Sequence, residues 1–77
     1  MVLKELLREH ADVFTLTSED RISTAAELMR QRKIGSVVIV ENELVVGIIT
    51  DRDIALTVTL GAATPDSLVR EVMTTNV

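Results

Sequence analysis

Three stretches of the chain carry apolar residues in strand-like runs, and three carry them at helical spacing. Residues 44–50, Leu-Val-Val-Gly-Ile-Ile-Thr, are apolar almost throughout, which predicts a strand covered on both faces. Residues 36–40 form a second such run, separated from the first by only Glu41-Asn42-Glu43. That gap has room for a hairpin turn and nothing more, so the two strands are predicted to pair antiparallel. Residues 13–17 alternate, with Phe14 and Leu16 on one face and Val13 and Thr15 on the other. Between this strand and the next, Ile22, Ala25, Ala26 and Met29 fall at i, i+3, i+4 and i+7. They predict a core-facing helix over residues 21–32, opened by the Ser18-Glu19-Asp20 turn with Asp20 as the best cap. A strand–helix–strand connection requires parallel pairing with a right-handed crossover. The pattern therefore predicts an α+β fold: a small three-stranded mixed sheet with flanking helices.

At the N-terminal end, Leu3, Leu6 and Leu7 make the apolar stripe of a short amphipathic helix over residues 2–9. The helix after the third strand spans residues 51–60 and is terminated by Gly61. Its Ile54, Leu56, Val58 and Leu60 do not form one stripe, and Thr57, Val58 and Thr59 are weak helix formers. Contact on more than one face would account for this. Residues 62–66, with the only proline, Pro65, read as a linker. Residues 69–73, Val-Arg-Glu-Val-Met, then repeat the apolar-basic-Glu-apolar-apolar order of residues 3–7, Leu-Lys-Glu-Leu-Leu. Both sets are expected to pack on apolar neighbours. Gly47, inside the third strand, marks a bulge or a close backbone approach.

Length and composition narrow the picture. Seventy-seven residues allow one small domain, and with Phe14 the sole aromatic its core must be aliphatic. Such a chain has no disulfide to staple it, since cysteine is absent. Self-association into a homodimer or a larger even-numbered assembly is the expected remedy. Twelve acidic against eight basic residues argue against a nucleic-acid partner. No segment approaches the roughly 18 apolar residues of a membrane span, and the charged N-terminus is not a signal peptide. A cytoplasmic location fits. There is no Ser-His-Asp or Cys-His set and no metal-ligand cluster, so neither catalysis nor a catalytic cofactor or metal is expected.

The candidate chemistry lies where the third strand hands over to a helix, at Thr50-Asp51-Arg52-Asp53. A helix start presents unpaired N–H groups and a positive dipole end, which suits a phosphate. The same spacing is also close to a capping box, with Thr50 as N-cap and Asp53 reaching back. Taken alone it favours capping. His10 reads as a solvated residue at a helix end and Met29 as core filler. Arg30, Arg32 and Lys33 read as a solvated basic face at a helix C-terminus; help for an anionic ligand is the alternative.

GSVVIVENELVVGIITDRDIA, residues 35–55, resembles a cystathionine-β-synthase (CBS) domain, and ISTAAELMRQRKI, residues 22–34, resembles that family's helix. The resemblance implies a CBS-type β-α-β-β-α repeat over residues 1–66, and residues 67–77 resemble the lead-in helix of a second, incomplete repeat. It implies a regulatory module, not an enzyme, that binds AMP, ADP, ATP or S-adenosylmethionine between paired repeats. By matching position, Thr50 contacts phosphate or ribose and Asp53 takes the ribose hydroxyls, while Arg52 meets phosphate or is solvated. The adenine pocket carries over to Val13, Phe14, Ile34, Gly35 and Ser36. The chain departs from the pattern at Val38, on the pocket wall, where many members have proline. A dimerisation module with no bound nucleotide is the alternative.

Overall fold

The computed structural model describes residues 2–9 and 13–75, so the reading of His10 lies outside it. The chain forms α1 (Leu3–Glu9), β1 (Thr15–Leu16), α2 (Ile22–Arg32), β2 (Ser36–Glu41), β3 (Leu44–Thr50), α3 (Asp51–Thr59) and a 3₁₀ turn at Val69–Glu71. The sheet order is β1-β2-β3, with β1 parallel to β2 and β2 antiparallel to β3. This is the predicted mixed sheet. A bulge falls between Ile39 and Val40.

The β2–β3 connection is a two-residue turn whose central residues, Asn42 and Glu43, have φ of 50° and 63°. Positive φ at both is the sign pattern of a type I′ turn, whose twist matches the flanking strands. The Glu43 carbonyl accepts from the Leu3 N–H at 2.9 Å, and Val2 bridges Leu44. The hairpin tip thus anchors the start of α1.

One apolar cluster holds the fold. Ile22, Ala25 and Met29 of α2 meet Val37 and Ile39 of β2, Ile49 of β3, and Ala63 and Val69. Ile54 and Val58 of α3 pack against the same cluster. Each fully buried aliphatic side chain here is worth about 1.5–3 kcal/mol relative to exposure. Val69 is completely buried, so the segment after α3 belongs to the core.

Several expectations are corrected. Ala26 is exposed: α2 turns a narrow stripe to the sheet, and Ala26 lies one residue beyond it. Leu7 stays 40% exposed, while Leu3 and Leu6 are half-buried. β1 is two residues long, not five. Val38 and Ile48, paired across β2 and β3, are half-buried, because the core takes up only the opposite face of the sheet. The segment expected as a helix after the linker makes one 3₁₀ turn, and Thr74 then exchanges hydrogen bonds with Ile48 at 2.8 and 2.9 Å. Gly47 permits that crossing. A Cβ there would lie 2.9 Å from both Met73 Sδ and the Thr74 carbonyl oxygen.

Asp20 does not cap α2. Its carboxylate accepts from the Thr17 N–H at 2.8 Å and the Thr17 hydroxyl at 3.3 Å, closing its own turn. Arg21 occupies the cap position without a side-chain bond. The first N–H groups of α2 are instead taken by carbonyls from the linker, Ile22 N–H to Ser67 and Ser23 N–H to Pro65, both at 2.9 Å. The Val69 and Arg70 N–H groups return bonds to the Asp20 and Ser18 carbonyls. Glu41 ties the same turn to β2 by accepting from the Ser18 hydroxyl and the Ser18 N–H. These bonds hold the Glu41 carboxyl below its ordinary range, the hydroxyl contributing most.

Candidate functional site

Strand directions decide where the candidate residues meet. Because β1 and β2 run parallel and β3 runs against them, the start of β1, the start of β2 and the end of β3 share one edge of the sheet. Val13 and Phe14 precede β1, Ile34 and Gly35 precede β2, and Thr50 ends β3. Ser36 and Thr50 are direct cross-strand partners. The Phe14 carbonyl accepts from Val38 N–H at 3.1 Å, and the Gly35 carbonyl accepts from Asp51 N–H at 2.9 Å. Segments far apart in sequence are thereby fixed side by side by backbone bonds.

At this edge Val13, Phe14, Ile34, Ser36 and Val38 line a cleft of about 160 Å³. Four of the five residues assigned to the adenine pocket are among them, together with Val38, the position that departs from the family pattern. Gly35 sits between Ile34 and Ser36, and a Cβ there would meet Asp51 Oδ2 at 3.3 Å. Ligand pockets commonly span about 300–1,000 Å³. The cleft is therefore the size of part of a site. A larger groove, about 400 Å³, runs past Leu16, Ser23, Thr24, Glu27, Leu28 and Gln31 on the outer side of α2. Its carboxylate, Glu27, is paired with Arg30, and it gathers none of the candidate residues.

Beside the cleft the polar residues of α3 form a complete capping box. Thr50 Oγ1 accepts from Asp53 N–H at 3.0 Å, and Asp53 Oδ2 accepts from Thr50 N–H at 3.1 Å. Both residues are half-buried. Asp53 Oδ1 and the Thr50 hydroxyl proton make no hydrogen bond among the described residues. Capping thus leaves one acceptor and one donor at the helix start. Asp51 is exposed, with Oδ1 accepting from the Arg52 N–H at 2.8 Å. The Arg52 side chain is exposed and does not line the cleft.

Arg32, read from the sequence as part of a solvated basic face with help for an anionic ligand as the alternative, stands over a residue of the cleft. Its guanidinium carbon lies 5.2 Å from the centre of the Phe14 ring, on a wall of the cleft. The available signal was its place two residues before Ile34, at the end of α2, where the chain turns into the pocket-forming entry to β2. Among the described residues no group of three or more His, Cys, Asp or Glu could hold a metal ion. No helix among them is long and apolar enough to cross a membrane.

The sequence profile of the CBS domain family matches residues 3–59. The CBS domain-containing protein YhcV of Bacillus subtilis (strain 168) is 40% identical over 63 residues, which cover 82% of this chain and 45% of that protein. The chain therefore spans less than half of that relative. The crystal structure of the CBS-domain containing protein ATU1752 from Agrobacterium tumefaciens superposes with a TM-score of 0.79 at 37% identity, covering 99% of this chain and 59% of the other. The CBS domain pair of protein MJ0100, in complex with 5′-methylthioadenosine and S-adenosyl-L-methionine, superposes with a TM-score of 0.75 at 29% identity, covering 100% and 58%.

Proposed function

This chain belongs to the CBS domain family of regulatory modules, and we propose that it senses an adenosine-containing ligand, AMP, ADP, ATP or S-adenosylmethionine, at the cleft on the sheet edge. One observation carries this reading. A capping box that leaves Asp53 Oδ1 free stands beside a small apolar cleft on the same edge. The apolar walls suit a purine face, and the free carboxylate oxygen suits ribose hydroxyls. The ligands bound by the MJ0100 pair support the same chemistry.

The module works as a pair. The cleft is too small for a whole nucleotide, Val38 and Ile48 leave one sheet face half-covered, and Leu56 of α3 and Leu60 just after it are 49% and 78% exposed. We assign the pairing to a homodimer or a larger even-numbered assembly of this chain. The likeness between residues 3–7 and 69–73 supports residue 67 as the opening of a second repeat. Ligand held between repeats would stabilise one arrangement over another, which is how such a module regulates what it is attached to. The net charge of −4 and the missing aromatic platforms speak against nucleic acid as a partner, and a cytoplasmic setting supplies the ligands.

Titration of the purified chain with AMP, ATP and S-adenosylmethionine, followed by melting temperature, tests the reading. A ligand that binds the folded chain alone raises the melting temperature by mass action. No shift with any of the three, with sedimentation still giving a dimer, would favour an interaction module that holds no nucleotide. Sedimentation showing only monomer at micromolar concentration would contradict the pairing.

A further inference from the structure

The arginines of the chain are unequally committed. Arg21, Arg30 and Arg70 are each paired with a carboxylate, Asp66, Glu27 and Glu19 respectively. Arg32 has no carboxylate partner among the described residues, and its guanidinium lies over the Phe14 ring. A guanidinium that covers an aromatic face keeps its N–H donors pointing outward in its own plane, free for an anion. Each carboxylate on the other side of the edge gives one oxygen to a backbone N–H. Asp51 Oδ1 accepts from Arg52 N–H, and Asp53 Oδ2 accepts from Thr50 N–H. The chain is acidic as a whole, yet the uncommitted guanidiniums at this edge, Arg32 beside the cleft and Arg52 on the first turn of α3, are positive.

Resting on the nucleotide reading above, we propose that Arg32 makes the site selective for phosphorylated adenosine ligands over neutral or cationic ones. With the purine in the cleft, the guanidinium donates to the phosphate oxygens while its face stays on Phe14. A planar fork of donors on a ring suits phosphate better than a flexible ammonium does. A sulfonium ligand such as S-adenosylmethionine meets the same charge as a repulsion.

The test measures binding of AMP, adenosine and S-adenosylmethionine to the full chain and to its Arg32→Gln and Arg32→Lys variants. Arg32 is exposed, so both variants should keep the parent melting temperature. Arg32→Gln should weaken AMP about tenfold or more while changing adenosine by about twofold at most, the scale of one charge-assisted hydrogen bond. Arg32→Lys should recover part of the AMP affinity, and S-adenosylmethionine should bind Arg32→Gln at least as well as the parent. Equal losses for AMP and adenosine would make Arg32 a shield for the ring and overturn the proposal. So would unchanged AMP affinity. If the parent binds none of the three, the nucleotide reading itself falls and this inference with it.

Discussion

The N-termini of α2 and α3 solve one physical problem in two ways. Every helix starts with N–H groups that have no partner within the helix. α3 satisfies its start from its own sequence, through the reciprocal bonds of Thr50 and Asp53. α2 has no side-chain cap and borrows the Pro65 and Ser67 carbonyls from a segment more than forty positions later. The self-capped start keeps a free carboxylate oxygen and can face a ligand. The borrowed start is closed by backbone and serves the fold, binding the segment after α3 into the structure. Two helix starts in one small domain therefore carry different duties, and the difference lies in who supplies the acceptor.

Breaking the borrowed cap should have the largest effect. Ending the chain after residue 66 removes the Ser67 carbonyl, the buried Val69 and the Thr74–Ile48 bonds. Burial of one aliphatic side chain plus two or three hydrogen bonds amounts to about 3 kcal/mol or more. Small domains are stable by only about 5–15 kcal/mol, so the urea midpoint should fall sharply. An unchanged midpoint would show that the segment after residue 66 adds nothing to the fold. Gly47→Ala should act on the same region more gently. Met73 Sδ can swing away from the new methyl but the Thr74 carbonyl cannot, so a loss of about 1–3 kcal/mol is expected, with faster amide exchange at Thr74. Thr50→Ala strikes the self-supplied cap and should cost about 1 kcal/mol, read from the same urea titration. A Thr50→Ala loss as large as that of the truncation would erase the contrast between the two helix starts.

How far the fold was legible follows from the same contrast. The hairpin, the parallel crossover and the α3 cap depend on neighbours in sequence, so periodicity and spacing revealed them. The family resemblance then drew Val13, Phe14, Ile34, Gly35, Ser36, Thr50, Arg52 and Asp53 into one site, and strand direction brings them to one edge of the sheet, where Arg52 is exposed and does not line the cleft. Asp20 misled because a carboxylate three residues after a hydroxyl closes a turn as readily as it caps a helix. The linker carbonyls that replaced it carry no side-chain signature at all. Ala26 misled because alanine fits a core face and a solvent face equally. Arg32 was read first as solvated because its partner, Phe14, is far away in sequence and is brought near only by the sheet.

The claim that the α3 start is both cap and ligand clasp is tested most directly by Asp53→Glu, with AMP affinity and melting temperature measured side by side. Glutamate is favoured at the third helical position of a capping box, so folding should change by less than about 1 kcal/mol. The added methylene moves the carboxylate off a ribose diol, and losing a hydrogen bond to a charged group, about 1.5–3 kcal/mol, weakens AMP roughly tenfold or more. A melting temperature close to the parent's with that loss of affinity is the expected result. AMP bound by Asp53→Glu as tightly as by the parent would leave Asp53 a cap and nothing else.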